Sequence, residues 1–298
     1  YTISFPVVIK ADGLAAGKGV YIAESKEEAI NFITDINKNQ IFGESGNEFI
    51  IEEFLKGFEL SVFVITDGDN FVILPTAQDH KKIGDDDTGK NTGGMGAYSP
   101  ADKLINEDTF EKIKKRIILP TLEGMKYEGR VFKGCLYCGL MIVKSEDSFD
   151  PYVIEYNCRF GDPETQAVLP LIKSDFLGLL EASAYNCIDD YKLEIFNSFA
   201  ACIVAASEGY PDKFETGKAI EGLDLVKEET LVFHSGTKNS GKKIITNGGR
   251  VLSVVSVSNN SIDDAISKAY SDIKNIRFDN IYYRKDIGKK FAEIIKKG

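Results

Sequence analysis

Apolar and polar positions along this chain alternate between two periods. Val7-Val-Ile9 is a short continuous apolar run and Val20 to Ala23 is another, with a Gly/Ala-rich stretch from Asp12 to Gly19 between them. Short apolar runs bounded by glycine read as buried strands, so the two runs and their loop predict a β-hairpin. Ser25-Lys-Glu-Glu28 is a capping box, in which a hydroxyl and a carboxylate satisfy amide donors at a helix start. The helix it opens carries Ala29, Ile30, Ile33 and Ile36 on one face. Glu48 to Phe54 and Glu59 to Thr66 read as strands, Asp67-Gly-Asp-Asn70 as a hairpin turn, and Phe71 to Thr76 as the returning strand.

The pattern then breaks. Gln78 to Pro100 is polar and dense in glycine, aspartate and lysine, and a loop of that length inside a compact domain is usually functional or disordered. Gly93-Gly-Met-Gly96, followed by Ala-Tyr-Ser-Pro100, is too specific for a solvating linker. Thr109 to Lys126 predicts an amphipathic helix with Phe110, Ile113, Ile117 and Leu122 inward and a bend at Pro120. Cys135 to Lys144 and Tyr152 to Asn157 predict a strand pair. Pro163 starts a helix, where its missing N–H costs nothing, and that helix is expected to run through Leu169 and Leu180 despite Pro170. From about Asn197, strands are expected at Phe199 to Ala206, Thr230 to His234 and Arg250 to Val257. Turns at Gly209-Tyr-Pro, Asn239-Ser-Gly and Thr246-Asn-Gly-Gly249 separate them. Ser261-Ile-Asp-Asp264 caps a helix bearing Ile262, Ala265, Ile266, Ala269 and Ile273, and a last helix spans roughly Ile287 to Lys296.

The expected partition is three parts, at residues 1–66, 67–195 and 196–298, the last a small α+β domain. A chain of 298 residues can bury a sizeable core and divide into domains. The formal net charge of -10 argues against a general nucleic-acid binder. Five scattered cysteines argue against a disulfide framework. Cys135-Leu-Tyr-Cys138 has zinc-like spacing, but it lacks a second pair and sits in an apolar run, so buried thiols are expected. No run of about 18 apolar residues occurs, so no membrane association is expected; the expected location is cytoplasmic.

Three clusters carry candidate chemistry. In the first, Glu155-Tyr-Asn-Cys-Arg-Phe-Gly-Asp-Pro-Glu164 follows an apolar strand. Strand alternation puts Glu155 and Asn157 on one side, suited to a hard divalent ion beside phosphate, and Arg159 offers a planar fork for phosphate or carboxylate. A strand end whose Glu155 and Arg159 simply pair is the plain alternative. In the second, Lys10 and Lys18 flank Gly13-Leu-Ala-Ala-Gly17 and Gly19. This is not a Walker A loop, since the glycine spacing is short and Gly19 stands where Ser or Thr is needed. Small residues still let backbone amides approach phosphate, and a flexible hairpin with solvated lysines is the alternative. The third comprises Asp79-His-Lys-Lys82 and Lys90-Asn-Thr-Gly-Gly-Met-Gly96, cations and amides suited to an anionic substrate. Glu52, Glu53, Phe54, Leu55 and Glu59 form an extended polar–apolar stretch. It reads either as exposed carboxylates or as a linker that meets a nucleotide base and ribose.

Taken in order, these segments resemble the phosphoribosylamine–glycine ligase family. The resemblance rests on Val8-Ile-Lys-Ala-Asp-Gly-Leu-Ala-Ala-Gly-Lys-Gly-Val20, Gln78-Asp-His-Lys-Lys82, Thr92-Gly-Gly-Met-Gly-Ala-Tyr-Ser-Pro100 and the stretch from Glu155 to Gln166. It continues through His234-Ser-Gly-Thr237, Thr246-Asn-Gly-Gly-Arg-Val-Leu252 and Arg284-Lys-Asp-Ile-Gly288. The resemblance implies an α+β ATP-grasp fold, two α+β subdomains clasping ATP, followed by the small C-terminal domain. It implies ATP-dependent joining of glycine to 5-phosphoribosylamine through glycyl phosphate, in purine biosynthesis, with Mg2+ or Mn2+. Glu155 and Asn157 would ligate the metal. Lys10, Gly17, Lys18 and Gly19 would grip ATP phosphates, with Glu52, Glu53, Phe54 and Leu55 at the adenine and Glu59 at the ribose. Arg159, Lys81 and Asp162 would serve the reacting atoms. Asp79, His80, Lys82, Gly93, Gly94, Met95, Gly96, Ala97 and Lys285 would receive the phosphoribosylamine and glycine. Cys158 is expected to be packing, because no thiol nucleophile is needed. Members of the family normally begin with a further N-terminal domain, which this chain is expected to lack, and fusion to or association with other purine-pathway enzymes is compatible with the resemblance. Two other readings stay open: a carboxylase or formate-using ligase with the same ATP site, and a non-catalytic nucleotide-binding module.

Overall fold

The computed structural model describes residues 4–13, 19–146 and 148–289. The chain divides into two compact units, Tyr1–Lys56 and Gly57–Gly298. In the first, β1 (Val7–Ala11) is the centre of a three-stranded antiparallel sheet between β2 (Val20–Ala23) and β3 (Phe49–Glu53). Helix α1 (Lys26–Asn37) helps enclose a core of Val7, Ile9, Ala23, Ala29 and Ile36. The capping box forms: Ser25 Oγ accepts from the Glu28 amide at 3.2 Å, and the Glu28 carboxylate reaches back to the amide of Glu24 at 3.0 Å. Ile30, expected inward, is exposed; the buried stripe runs through Ala29, Ile33 and Ile36, and Ile30 falls on its flank. The β1–β2 hairpin closes with the Ala11 amide donating to Gly19 O at 2.8 Å. Residues 14–18 of its loop, with Gly17 and Lys18, lie outside the described residues.

The second unit begins with β4 (Phe58–Thr66) and β5 (Phe71–Ile73), joined by the expected turn at Asp67 to Asn70. Strands β6 (Gln78–Asp79), β7 (Lys82–Gly84), β8 (Thr88–Asn91) and β9 (Gly96–Ser99) follow. What composition reads as a long loop is therefore short strands. Gly96 has a packing reason: a Cβ there would stand 2.7 Å from Cys202 O and 2.8 Å from the Ile287 side chain. Helices α2 (Glu107–Ile113) and α3 (Leu119–Tyr127) are joined through a wider π-type turn at Lys114–Ile118, with Pro120 in the first turn of α3. The bend expected at the proline is thus prepared by the widened turn before it.

Strands β10 (Gly134–Lys144) and β11 (Phe149–Asn157) complete a four-stranded sheet of order β11-β10-β4-β5. Alternation along β4 sends Leu60, Val62 and Val64 toward Ile113, Ile117, Ile118 and Leu122, and Phe63 and Ile65 toward Val168, Leu179 and Ala182. A sheet covered on both faces needs the near-continuous apolar run that β4 has.

Helix α4 (Glu164–Val168) ends in a 3-10 turn at Leu169–Leu171, and α5 (Phe176–Tyr185) begins only after Asp175, whose side chain caps it. The continuous helix expected here is two helices, because Pro170 has no amide to continue the ladder. Strands β12 (Phe199–Ser207), β13 (Leu231–His234), β14 (Thr237–Ser240), β15 (Lys243–Thr246) and β16 (Arg250–Ser258) follow, then α6 (Ile262–Ile273) and β17 (Ile281–Tyr282). A sheet of order β13-β16-β12-β9-β6, with β17 on β12, joins this C-terminal segment to the Gly-rich segment. The part from residue 196 onward therefore shares its main sheet with β6 and β9, and β4 belongs to the second unit, not the first. Strand β12 has two covered faces: Ile203 and Ala205 pack with Ala269 and Ile273, and Cys202 and Val204 with Ala167 and Leu171. The expected helix over 287–296 falls mostly outside the described residues. No helix among the described residues is long and apolar enough to cross a membrane.

Candidate active site

Three segments distant in sequence converge at one end of the four-stranded sheet. Glu59 and Ser61 lie two apart on β4 and share a face. Ser61 is opposite Gly139 of β10, and Gly139 is opposite Glu155 of β11. Gly139 leaves room there, since a Cβ would stand 3.0 Å from Glu155 Cγ and 3.2 Å from the Tyr137 ring. Lys81, between β6 and β7, brings Nζ to 2.8 Å from Glu59 Oε2 and 3.8 Å from Glu155 Oε1. Behind it, Ser61 Oγ donates to Glu164 Oε1 at 3.2 Å and lies 3.1 Å from Tyr137 Oη.

The electrostatics follow from one cation among several acids. Burial works against the Lys81 ammonium, but Asp79, Glu59 and Glu155 outweigh it and hold its pKa well above the usual lysine value. Asp79 keeps a partly exposed edge, yet desolvation pushes its carboxyl well up, helped by Glu164, Glu59 and Glu155; Lys81 opposes this without overcoming it. Burial also raises the Glu164 carboxyl, which is 4% exposed. Four acidic side chains, Glu59, Asp79, Glu155 and Glu164, thus crowd around the one ammonium of Lys81, and a further cation bound there would favour the ionised form of the raised Asp79 and Glu164 carboxyls.

Glu155 and Asn157 fit a divalent ion as donors. Glu155 is half exposed and only distantly paired with Lys81. Among the described residues, no group of three or more His, Cys, Asp or Glu side chains could hold a metal alone. Mg2+ retains waters and phosphate oxygens and asks the protein for one or two carboxylates, which this donor set satisfies. The pairing of Glu155 with Arg159 is not formed; Arg159 is exposed and Nη1 donates to Phe160 O at 2.8 Å.

The Gly-rich segment lies beside the Asp79 to Lys82 segment. The His80 amide donates to Gly96 O at 2.9 Å, the Met95 amide to His80 O at 2.8 Å, and the Thr92 amide to Lys81 O at 2.7 Å. Met95 and Ala97 are fully buried, so they belong to the core, and of the segment Gly93 to Ala97 only Gly93 is exposed. Gly94 has φ +107 and packs so closely that a Cβ would meet Pro163 Cδ at 2.3 Å. Asp162 is held by Arg250, whose Nη2 lies 3.0 Å from Oδ2, and by Gln166 Nε2 at 2.8 Å from Oδ1. Its carboxylate is thereby engaged in bracing the loop.

Lys82 offers its carbonyl to Arg284 at 3.0 Å, His80 Nε2 accepts from the Gly288 amide at 3.2 Å, and the Lys285 amide donates to Asp85 Oδ1 at 2.8 Å. In the first unit, Lys10 Nζ lies 2.5 Å from Glu52 Oε2, Gly19 is buried, and Phe54 and Leu55 are half-buried between strands beside exposed Glu53. Cys158, expected to pack, is exposed, whereas Cys135, Cys138 and Cys202 are buried. Sequence reasoning missed Glu164, Ser61, Tyr137 and Arg250 as site-forming residues. Glu164 stands inside the Glu155 to Gln166 motif, but its burial comes from packing around a short helix, which leaves no periodic signal.

Residues 1–165 match the family described as phosphoribosylglycinamide synthetase, ATP-grasp (A) domain, and residues 200–290 its C domain. The chain is 47% identical over 289 residues to a phosphoribosylamine–glycine ligase of Chlorobaculum tepidum, covering 96% of this chain and 67% of that protein. It is 46% identical over 285 residues to a bifunctional purine biosynthetic protein of Pichia angusta, covering 95% of this chain and 36% of that one. A crystal structure of phosphoribosylamine–glycine ligase from Thermotoga maritima is similar with a TM-score of 0.83 at 41% identity, covering 95% of this chain and 69% of that chain.

Proposed function

The chain belongs to the phosphoribosylglycinamide synthetase family of ATP-grasp ligases, and from that premise we propose the role of each residue in ATP-dependent ligation of glycine to 5-phosphoribosylamine. The observation that carries the reading is the convergence of Glu59, Lys81 and Glu155, drawn from three separate segments of the chain, two of them family motifs, within salt-bridge distance.

Glycine's carboxylate is a poor acylating agent because oxide leaves poorly. Attack of a carboxylate oxygen on the γ-phosphorus, with cleavage of the bond to the bridging oxygen of ADP, gives glycyl phosphate. The amine nitrogen then attacks the carbonyl carbon, loses a proton, and phosphate departs. Positioning and charge neutralisation do most of such work. Lys81 stays charged through its carboxylate neighbours and neutralises developing phosphoryl charge, with Arg159 free to swing toward the same oxygens. Glu155 and Asn157 hold Mg2+ or Mn2+, which supplies charge neutralisation at the phosphates when bound. Lys10, Lys18, Gly17 and Gly19 take the ATP phosphates, Glu52 to Leu55 the adenine and Glu59 the ribose. The Asp79 to Lys82 and Gly93 to Ala97 segments, with Lys285, receive glycine and phosphoribosylamine. Asp162 acts by shaping the loop. The bifunctional relative supports association with other purine enzymes, and cytoplasmic placement is part of the same reading.

The test is glycine-dependent ADP release by the full-length protein with Mg2+ and phosphoribosylamine generated in situ. Turnover that needs every substrate and is lost in Glu155→Ala supports the assignment. ADP release that ignores glycine, or a Glu155→Ala variant as active as wild type, overturns it.

A further inference from the structure

Arg284 is the largest fully buried side chain in the protein among the described residues. A buried guanidinium is costly unless its donors are met, and here they are. Nε donates to Asp286 Oδ1 at 2.8 Å and Nη2 to Asp286 Oδ2 at 2.6 Å, while Nη1 reaches Asp87 Oδ1 at 2.8 Å and Lys82 O at 3.0 Å. The last two acceptors belong to the β7–β8 hairpin and its connecting turn. Other bonds join the same two segments: the Asp86 amide to Asp286 Oδ2 at 2.8 Å, the Lys285 amide to Asp85 Oδ1 at 2.8 Å, and Tyr282 Oη to Ile83 O at 2.7 Å. The turn is not relaxed by itself, since Asp86 and Asp87 both have φ of 54, a left-handed region that side chains other than glycine adopt at a cost. Contacts from the C-terminal segment hold it there.

The hairpin matters because Lys81 directly precedes it. Lys81 projects its ammonium to Glu59 and Glu155 while its carbonyl accepts from Thr92, the residue just past β8. The base of the hairpin therefore carries the cation, and its turn is fixed elsewhere. We propose that Arg284 is a positioning residue: it clamps the β7–β8 hairpin through Asp87 and the Lys82 carbonyl, and so fixes where Lys81 presents its charge. This inference rests on the functional reading above. Arg284 meets no substrate itself; its effect passes through the hairpin.

Two mild variants avoid leaving a bare buried charge. Asp87→Asn weakens one arm at the hairpin, and Arg284→Lys keeps the charge but loses the fork. Both are assayed in the full-length protein for kcat and for KM of ATP, glycine and phosphoribosylamine. Each variant should lose about tenfold in kcat, and so in kcat/KM for every substrate, with KM for ATP moved by less than about twofold. Combined, they should lose less than the product of the single effects, because both act through one contact. Hydrogen exchange gives a second readout: amides over 82–92 should exchange about tenfold faster while those of β4 and β10 keep their protection. Unchanged kinetics, or a loss accompanied by faster exchange in β4 and β10 as well as in the hairpin, would overturn the proposal. A wild-type protein that releases no ADP with glycine would instead overturn the functional reading and this inference with it.

Discussion

Arg250 and Asp162 stand 3.0 Å apart between Nη2 and Oδ2, and the same guanidinium donates through Nη1 to the carbonyl of Gly93 at 2.6 Å and of Asp162 at 3.0 Å. One side chain from β16 thus ties the Gly-rich segment to the loop that carries Arg159 and leads into Glu164. The three lie far apart in sequence.

Removing that tie should be costly. Arg250→Ala is expected to lower unfolding stability by about 1 kcal/mol, through lost charge-assisted bonds to a carboxylate and carbonyls that water can reach. Asp162→Asn should cost less, because both backbone carbonyl bonds survive. Denaturant midpoints with unchanged m-values check both.

Two glycines should respond in opposite directions. Gly94→Ala meets a positive φ and a Cβ contact of 2.3 Å with Pro163, so a loss of about 1–3 kcal/mol and a marked loss of activity are expected. Gly124 lies within α3, and a Cβ added there would meet nothing within 4 Å. Gly124→Ala should stabilise by about 0.4–1 kcal/mol with activity unchanged. Thermal melts beside ADP-release assays test the pair.

Cysteine labelling should be selective. Burial pushes the thiols of Cys135, Cys138 and Cys202 up to about 12, so almost no thiolate exists near pH 8 and access is closed. Cys158 is exposed. Iodoacetamide followed by peptide mass spectrometry should find Cys158 modified in the native protein and the other three only after denaturation.

Acid should weaken the C-terminal clamp. Burial alone raises the Asp286 carboxyl, but its bonds from Arg284 and the Asp86 amide outweigh this and hold its pKa well below the usual value. With a depressed folded pKa, the stabilisation is complete above the unfolded value of about 3.9 and is lost as pH falls toward the folded one. Unfolding stability should therefore decline below about pH 4, and Asp286→Asn should be less stable at neutral pH with a flatter acid limb. Urea melts across that range give the comparison.

Much of the local structure is legible in the periodicity. The β1 and β2 strands, the Ser25 and Ser261 caps, β4, and the β10–β11 pair all declare themselves through local rules, and those rules are strong where one element meets one core. Periodicity misleads where packing decides locally. Gln78 to Pro100 reads as a loop because its strands are short and glycine-rich, and β9 becomes a strand through its pairing with the distant β12 on one side and the two-residue β6 on the other. The helix after Pro163 reads as too long, because leucine-rich sequence continues past Pro170 while the amide ladder cannot. Ile30 and Cys158 read as inside, and each is exposed because burial belongs to the surroundings, not to the side chain.

Order and residue type along the chain by themselves determined the family, the ATP-grasp class, and which motifs hold oxygens and cations, since those depend on identities at fixed spacing. Tertiary structure decided the rest. It placed Lys81 between Glu59 and Glu155, buried Glu164 behind Ser61 and Tyr137, and set Arg250 and Arg284 as braces. Each of these joins residues distant along the chain, and such pairs leave no local trace: their proximity, desolvation and charge balance come into being only when the sheets close around them.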